Sequence, residues 1–344
     1  MERKFKLIFG IDISKLTLDV TYSLEGSFRY FQITNDARGI SQLVKTIKEL
    51  GIEEQQVLVC CENTGSYMDK LALVMKGLDA TFWVVHPIIM KGYRLDLQRT
   101  KNDKVDSMKI AEFALAHQHK ATSFHHPNQK TKELKELYLL RKQLVGIRQQ
   151  TLNFIASEQD KAIPGILNTV IHDQLKYFIT DLIKDVEKSI QLLIKSDKTV
   201  SGYYNTLLSI PGVGPVIAQH ILAATDGFKK ITDYKSFACY VGIAPFARSS
   251  GISVRYRPRT SKKANQELKA EMHQGALSVI KQGQIFHNYY KTMIDKGKHH
   301  LWIMNAIMNM IAKCIFNLAA KMTPFNKEIF ANNKKSWQNN LVMS

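Results

Sequence analysis

The stretch KLIFGIDIS, residues 6–14, decides the fold of the first part of the chain. Its apolar residues form a run of strand length, and one carboxylate, Asp12, interrupts that run. A charged group on a buried strand is unfavourable unless it is paired or bound to a metal ion. The stretch therefore predicts a central strand and marks Asp12 as a candidate site residue.

The segments that follow alternate between strand and helix patterns. Residues 17–24, 27–34, 57–61 and 81–85 predict strands, and residues 39–50 and 67–76 predict helices. Three meandering strands followed by alternating helices and strands are typical of a mixed α/β sheet. We expect this α/β domain to span residues 1–125.

Three further carboxylates extend the candidate site. Glu62 directly follows the apolar run at residues 57–61, and Asp103 and Asp106 are three residues apart, which places them on one helix face. Four such carboxylates can hold two Mg²⁺ ions, which activate a nucleophile and stabilise the leaving oxygen of a phosphodiester. The alternative is that Asp12 is a hydrogen-bonded strand-end acid, and that Asp103 and Asp106 cap a helix or face solvent.

Positive charge is concentrated in the C-terminal part of the chain. The 344 residues include 48 Lys and Arg against 30 Asp and Glu, a formal net charge of +18. Residues 201–344 contain 19 basic and six acidic side chains, whereas residues 1–125 contain 17 and 15. A balance of this kind suits a polyanionic partner.

Residues 126–200 predict two long helices. Apolar or small residues recur at spacings of three and four along the first helix, at Leu137, Leu140, Leu144, Ile147, Thr151 and Phe154. Pro164 and Gly165 interrupt the pattern, and a second apolar series follows. The two helices form an antiparallel coiled-coil arm, or part of an oligomer interface, or a pair packed on its own domain; these alternatives remain open.

The segment LLSIPGVGP, residues 207–215, has the form of a helix-hairpin-helix. Gly212, Val213 and Gly214 would bring the backbone close to a DNA phosphate, and Pro215 suits the first turn of the next helix. The alternative is an ordinary helical hairpin. We expect a mainly α domain at residues 201–325 and a loosely ordered tail at residues 326–344.

A basic segment with two serines follows this hairpin. Ser249 and Ser250 lie among six basic residues without an acid, and these are Arg248, Arg255, Arg257, Arg259, Lys262 and Lys263. Guanidinium groups around a serine can bind a phosphodiester and stabilise the charge of its transition state. By itself, such a serine more often binds phosphate or is inert than acts as a nucleophile.

The remaining features concern the cellular compartment. The four cysteines have no metal-binding spacing, which favours a reducing cytoplasm, with association to the nucleoid during activity. The most apolar stretch, residues 301–320, has a polar residue at every fourth position from Asn305 to Asn317, so we expect an amphipathic helix and no membrane span.

Four of the N-terminal segments resemble the RuvC-like domain of the DEDD transposases, the insertion-sequence recombinases related to the Piv pilin-gene invertases. The matching motifs are GIDISK at 10–15 with LDV at 18–20, ENTGSY at 62–67, VVHP at 84–87 and KNDKVD at 101–106. The resemblance implies an RNase H-like fold in which the acidic tetrad Asp12, Glu62, Asp103 and Asp106 binds Mg²⁺. Asn102 and Ser107 replace the commoner threonine and alanine of the family at positions that are not ligands.

Three later segments resemble the C-terminal transposase domain of the same family. They are YVGIAP at 240–245, SSG at 249–251 and SKKAN at 261–265. By this match Ser250 falls on the family's nucleophile and Ser249 is the alternative, while Ala264 replaces the usual glycine. The resemblance also implies a dimer or tetramer with sites shared between subunits and, for several relatives, a structured guide RNA.

The predicted function is DNA cutting and rejoining by a transposase of an insertion sequence. A RuvC-like junction-resolving nuclease would hydrolyse DNA with water at the tetrad alone, and a binding protein would retain the fold without chemistry. A Piv-type DNA invertase would share the chemistry of the transposase and differ in its DNA context.

Overall fold

The computed structural model describes residues 5–24, 26–93, 102–163, 165–250, 254–261 and 264–327. For residues 91, 167, 247–250 and 254–259 it describes the backbone alone. The chain divides into two compact units, Met1–His126 and Pro127–Ser344. The expected tail lies outside the described residues from residue 328 onward.

The first unit contains a five-stranded mixed sheet in the order β3-β2-β1-β4-β5. The strands are β1 (Leu7–Ile13), β2 (Thr17–Leu24), β3 (Ser27–Thr34), β4 (Val57–Glu62) and β5 (Thr81–Val85), and the helices are α1 (Ala37–Glu49), α2 (Asp69–Met75), α3 (Pro87–Tyr93) and α4 (Asp103–His117). β1, β2 and β3 form an antiparallel meander, whereas β4 runs parallel to β1 and β5 runs parallel to β4. The mixed sheet expected from the sequence is confirmed.

Alternate residues of the central strand β1 face two separate cores, because successive side chains of a strand point to opposite faces of the sheet. Phe9 and Ile11 belong to the core that includes α1 and α2. Ile8 belongs to the core on the other face, where it joins Ile110 and Phe113 of α4. Even-numbered positions of β1, which include Asp12, therefore share the face that α4 covers.

Gly10 allows α4 to approach β1 closely. A β-carbon at Gly10 would lie 2.2 Å from the backbone nitrogen of Ala111 and 2.6 Å from the carbonyl oxygen of Ser107. Backbone atoms at these distances cannot move aside as a flexible side chain would. The contact therefore requires glycine in the middle of a buried strand.

Replacing Gly10 with alanine is expected to destabilise the first unit by roughly 3 kcal/mol, since α4 must move away from the sheet. Urea unfolding followed by circular dichroism measures this loss. The control is Gly77→Ala, where the added β-carbon would meet its nearest neighbour at an ordinary 3.4 Å. Equal stability of the Gly10→Ala variant and the wild type would contradict the close packing of α4 on β1.

The second unit is mainly helical and contains one β-hairpin. Its elements are α5 (Gln129–Gln159), α6 (Ile166–Lys195), α7 (Lys198–Ser209), α8 (Pro215–Thr225), α9 (Tyr234–Val241), β6 (Pro245–Ser250), β7 (Val254–Thr260), α10 (Gln266–Val279), α11 (His287–Asp295) and α12 (His300–Ala319). β6 and β7 are antiparallel. The basic serine segment, expected as an insertion in a helical domain, thus forms a two-stranded sheet.

The long helices α5 and α6 form an antiparallel helical hairpin. Arg141 of α5 forms an ion pair with Glu187 of α6 at 2.7 Å. The ring centroids of Phe154 and His172 are 3.9 Å apart. At the base of the hairpin, Leu134 and Ile190 are buried in the core of the second unit, together with Leu193 and Ile194. Several apolar residues of the hairpin are exposed, among them Leu140, Ile147, Ile163, Ile166, Tyr177 and Phe178.

The polar residues of α12 have a different role from the one expected. Two asparagine side chains, Asn305 and Asn309, both donate to the carbonyl oxygen of Ile243 at 3.0 Å, and Asn309 is only 6% exposed. These two residues of the stripe therefore join α12 to the chain just after α9, whereas Asn317 is exposed as expected. By length and composition alone α12 could cross a membrane, the single such helix among the described residues, but 67% of its apolar window is buried inside the protein, as in a core helix.

Candidate active site

Two of the predicted acids lie at the carboxyl ends of neighbouring parallel strands. Ile11 of β1 is in register with Cys61 of β4, so Asp12 and Glu62 are the next residues along the two strands. In-register residues of parallel strands project from the same face of the sheet. Asp12 and Glu62, both half-buried, therefore share one edge and one face.

The other two predicted acids lie in the first turn of α4, which packs on that same face. Asn102 caps the helix, because its side chain accepts the backbone N–H of Lys104 at 3.1 Å. Asp103 is exposed and Asp106 is half-buried. Carboxylates also stabilise the start of a helix electrostatically, so this position alone does not require a metal. The tetrad is thus carried by three elements that meet on one face.

A buried hydrogen bond connects α4 to the sheet next to these acids. The hydroxyls of Ser107 in α4 and Thr21 in β2 are 2.8 Å apart. Thr21 is the antiparallel partner of Gly10, the residue that allows the close approach of α4. The bond and the close contact together hold the start of α4 over β1 and β2.

A fifth carboxylate, Asp19, lies on the same face and was not predicted as a site residue. Asp19 of β2 is the direct antiparallel partner of Asp12 and is 2% exposed. Its Oδ1 accepts hydrogen bonds from the Tyr30 hydroxyl at 2.7 Å and from Gln32 Nε2 at 3.0 Å. The signal in the sequence is an acid within a predicted strand, but its importance depends on which residue it faces.

The donor atoms on this face suit a hard divalent cation. Carboxylate oxygens are the ligands that Mg²⁺ and Mn²⁺ prefer. Asp12 and Asp19 stand directly opposite each other, and two like charges in that arrangement are destabilising unless a cation offsets them. The carboxylates on this face are therefore suitable ligands for a divalent cation such as Mg²⁺ or Mn²⁺.

The predicted nucleophile belongs to the second unit. Ser250 is the last residue of β6 and pairs with Val254 of β7, and Ser249 pairs with Arg255. Both serines are therefore at the turn end of the hairpin. The side chains of Ser249, Ser250, Arg248, Arg255, Arg257 and Arg259 lie outside the described part of the structure, as do Gly251, Lys262 and Lys263.

The glycine turn between α7 and α8 packs against α10. Gly212 has φ of +86°, and a β-carbon there would lie 2.9 Å from the carbonyl oxygen of Gly275. Val213 is buried, and its backbone N–H donates a hydrogen bond to the carbonyl oxygen of Ile210 at 3.0 Å. Gly214 is half-exposed and precedes Pro215 at the start of α8. Packing against α10 thus explains Gly212, and Val213 is the buried residue of this turn.

A second group of ionisable side chains, which we call the Tyr138 cluster, lies in the second unit. It consists of Tyr138, His220, Glu267 and Glu271. One ring nitrogen of His220 and one carboxylate oxygen each of Glu267 and Glu271 lie within 4.8 Å of one another. The Tyr138 hydroxyl is 2.6 Å from Glu271 Oε1, 3.1 Å from Glu267 Oε1 and 2.9 Å from His220 Nδ1. Burial, together with the bond to Glu271, raises the pKa of this hydroxyl, so it keeps its proton and donates it.

The protons of the Tyr138 cluster can be assigned from its neighbours. Asn265 Oδ1 caps α10 by accepting the backbone N–H of Leu268 at 3.0 Å, which fixes the orientation of the Asn265 amide. Its Nδ2, a donor, therefore lies 3.3 Å from His220 Nε2, which must accept. His220 therefore has its proton on Nδ1, which donates to Glu271 Oε2 at 2.8 Å. Lys142 pairs with Glu267 at 2.6 Å. The cluster is a hydrogen-bonded network that joins α5, α8 and α10.

Removing the hydroxyl with Tyr138→Phe is expected to destabilise the second unit by about 1–2 kcal/mol, since half-buried carboxylate oxygens lose a donor. Thermal or urea unfolding measures the change. Tyr177→Phe is the matched control, because Tyr177 is 66% exposed on α6. A Tyr138→Phe variant as stable as this control would show that the hydroxyl does not hold the three helices together.

Comparison with known proteins agrees with this arrangement. A DEDD-type transposase family model matches residues 9–162, and the model described as "Transposase IS116/IS110/IS902 family" matches residues 204–291. The chain is also similar to the pilin gene-inverting proteins of Moraxella bovis and Moraxella lacunata. Each is 25% identical over 329 residues, which covers 94% of this chain and 99% of the relative.

The two family models match different parts of the chain, and together they account for both the acidic sheet edge and most of the helical unit with its serine hairpin. The first model implies an RNase H-like fold for the first unit, divalent metal use and a DNA substrate. The two relatives extend the match over almost the whole chain. The chain therefore belongs to the IS110-type family of transposases and Piv-like DNA invertases and is a DNA recombination enzyme.

Proposed function

We propose that this enzyme is the transposase of an insertion sequence, and that it cuts and rejoins DNA with a Mg²⁺-binding tetrad and a serine nucleophile. One observation carries the proposal: Asp12 and Glu62 end adjacent parallel strands on the face that α4 covers, and α4 begins with Asp103 and Asp106.

The tetrad residues would bind two Mg²⁺ ions through their carboxylate oxygens. Mg²⁺ bound there would polarise the phosphodiester and stabilise the charge that develops on the leaving oxygen. Asp12 and Glu62 are anchored on the central strands, where the sheet limits their movement. Asp103 and Asp106 are held by a capped helix whose start is tied to β2 through Ser107.

Ser250 would carry out the covalent step. Its hydroxyl would lose a proton to a general base, its Oγ would form a bond to phosphorus, and the bond from phosphorus to the deoxyribose oxygen would break. The leaving oxygen takes up a proton. The protein–DNA ester conserves the energy of the broken bond, and a hydroxyl of another strand then displaces the serine to complete the joining.

DNA binding is assigned to the basic second unit. The serine hairpin and the segment that follows contribute Arg248, Arg255, Arg257, Arg259, Lys262 and Lys263. The turn from Gly212 to Gly214 would act as a helix-hairpin-helix, with the first N–H groups of α8 directed at a phosphate. Residues 201–344 contain 19 basic and six acidic side chains, which supports a polyanionic partner.

Inversion of a DNA segment is the second candidate function. It is supported by the two relatives named for inversion of a pilin gene, which match 94% of this chain. The chemistry at the tetrad and Ser250 would be the same. Sequencing the DNA on both sides of the gene decides between them, because an insertion sequence has its own ends and an invertase has a neighbouring invertible segment.

Removal of divalent cations tests the proposal. Purified protein incubated with supercoiled DNA that contains the flanks of the gene is expected to yield joined products with Mg²⁺ or Mn²⁺. With EDTA the yield should fall by at least roughly a hundredfold, since charge on the leaving oxygen is no longer offset. Joined products at an equal yield in EDTA would contradict the metal-dependent tetrad.

The proposal also includes an oligomer, an antiparallel coiled-coil arm formed by α5 and α6, and a structured guide RNA. The exposed apolar residues of α5 and α6 support the arm, and the basic second unit suits RNA as well as DNA. Treating the purified protein with ribonuclease before adding DNA tests the guide: loss of site-specific joining supports it, and unchanged joining excludes it.

A further inference from the structure

The two central parallel strands separate at the residues that carry the acids of the sheet edge. The ladder between β1 and β4 ends with Ile11 in register with Cys61. Beyond this point Asp12 of β1 is paired with β2, and Glu62 of β4 is paired with β5. Pairing between β1 and β4 therefore does not itself set the distance between the two acids. We call this place the split between β1 and β4.

Asn35, which lies between β3 and α1, connects the two sides of the split. Its side-chain Nδ2 donates to the carbonyl oxygen of Ser14 at 2.8 Å and to that of Tyr67 at 3.0 Å. Ser14 is two residues after Asp12, and Tyr67 is five residues after Glu62. One amide group thus joins the turn that follows β1 to the segment that follows β4.

The main chain of Asn35 contacts the same two sides. Its backbone N–H donates to the carbonyl oxygen of Leu16 at 2.8 Å, and its carbonyl oxygen accepts a hydrogen bond from the Lys70 ammonium at 3.0 Å. Leu16 belongs to the turn after β1, and Lys70 belongs to α2, which follows the segment of Tyr67. The whole residue is therefore bound to both sides of the split.

The two bonds from the Asn35 side chain need an amide at this position. Two carbonyl acceptors require two N–H donors on one nitrogen, which an aspartate, serine or threonine side chain of similar length does not have. Asn35 is 5% exposed, and among the described residues its Oδ1 has no hydrogen-bond partner. A buried oxygen without a partner is unfavourable. The hydrogen bonds of this side chain are therefore the two that cross the split.

The distance across the split affects the metal-binding groups. Strand pairing holds Asp12 to β2 and Glu62 to β5, so movement of the two strand ends away from each other leaves both of these ladders intact. Mg²⁺ requires ligands in near-ideal octahedral positions, and Mn²⁺ favours the same oxygen ligands. A connection across the split therefore limits the movement to which a shared cation is most sensitive.

We propose that Asn35 is a positioning residue of the acidic site: its amide holds the segments after β1 and β4 together and keeps Asp12 and Glu62 at the separation that shared divalent cations require. This inference rests on the proposed tetrad and extends it to a residue that binds no metal itself. Loss of the amide should weaken metal binding although all four acids are intact.

The test is binding of Mn²⁺ to the full-length protein, measured by the loss of the free-ion electron paramagnetic resonance signal. Asn35→Leu, which is similar in size and has no donor, is expected to raise the Kd by at least roughly tenfold, as the loss of a residue that orients metal ligands does. Asn35→Ala removes the same donors without adding atoms and should give the same result. Asp12→Asn is the reference for the proposed tetrad.

Gln118→Leu is the matched control for a loss of stability alone. Gln118 also binds two backbone groups through its amide, because it accepts the N–H of Phe5 at 3.0 Å and donates to the carbonyl oxygen of Leu115 at 3.0 Å. Phe5 precedes β1, so this amide lies at the end of the strand opposite to the acids. Thermal unfolding in EDTA should show a lower melting temperature for Asn35→Leu and Gln118→Leu, and only Asn35→Leu should lose Mn²⁺ affinity.

The failures are distinguishable. If Asp12→Asn weakens Mn²⁺ binding and both Asn35 variants stay within twofold of the wild type, Asn35 does not position the acids and the tetrad stands. If Gln118→Leu weakens binding as much as Asn35→Leu, general loss of stability explains the effect and the proposal is overturned. If the wild type binds no Mn²⁺, or if Asp12→Asn leaves binding unchanged, both the tetrad and its extension are wrong.

Discussion

Replacing Ser250 with alanine is expected to lower the rate of strand joining by at least roughly a thousandfold, because the attacking oxygen is lost and no covalent protein–DNA ester can form. DNA binding should persist, since the basic side chains of the second unit are unchanged. Joined and nicked products are measured on supercoiled DNA, and binding is measured by fluorescence anisotropy at one fixed salt concentration.

Ser249→Ala is the matched control for this experiment, because Ser249 is the preceding residue of the same strand, β6. Its joining rate should stay within about tenfold of the wild-type rate, since the nucleophile is intact. If Ser249→Ala loses joining and Ser250→Ala retains it, Ser249 is the nucleophile. Unchanged cleavage without joining in both variants would indicate a RuvC-like nuclease that uses water at the tetrad, and unchanged strand exchange in both would rule out a serine nucleophile.

Asp12→Asn is expected to have a comparably large effect, a fall of roughly a thousandfold or more in both cleavage and joining. The substitution removes a charge from the centre of the acidic face while keeping the shape of β1. Measurement of cleavage across a range of Mg²⁺ and Mn²⁺ concentrations distinguishes weaker metal binding from lost chemistry, because only weaker binding is rescued by more metal.

Stability in EDTA provides the control for Asp12→Asn. The variant should fold with nearly the stability of the wild type, since asparagine keeps the size and shape of the aspartate side chain. Cleavage within tenfold of the wild-type rate would remove Asp12 from the site. If subunits share their sites, a mixture of inactive Asp12→Asn and Ser250→Ala proteins should recover part of the joining activity.

Much of the first unit could be predicted from sequence because its strands have clear boundaries. The predicted ranges 17–24, 27–34 and 81–85 coincide with β2, β3 and β5. Asp12 and Glu62 were recognisable as site candidates because a carboxylate within or directly after an apolar run is an evident exception. Local pattern and local chemistry were sufficient in these cases.

Asp19 could not be predicted as a site residue from the sequence of its own strand. The strand TLDVTYSL contains several polar residues, so one acid within it is unremarkable. Its importance arises from the register of β2 on β1, which places it opposite Asp12, and from donors on a third strand. Register depends on how two strands pair, so the sequence of one strand does not predict which residue lies opposite Asp19.

The second unit was less predictable because its important contacts join distant helices. The Tyr138 cluster brings together single residues of α5, α8 and α10, and only the spacing of Glu267 and Glu271 is visible locally. Asn309, which seemed to mark the polar face of α12, instead binds the Ile243 carbonyl in the core. The basic segment alternates arginine with other residues at 254–259, but the pairing of Arg248 with Tyr256 across a β-hairpin became evident only in three dimensions.

Identification of the side chain that becomes bonded to DNA is the most direct measurement of the central claim. Wild-type protein is incubated with Mg²⁺ and end-labelled DNA, quenched in denaturant, digested with nuclease and protease, and analysed by mass spectrometry. The account predicts a nucleotide phosphate attached to Ser250. Quantitative joining with the phosphate on another side chain, or with no protein–DNA bond at any time, would contradict it.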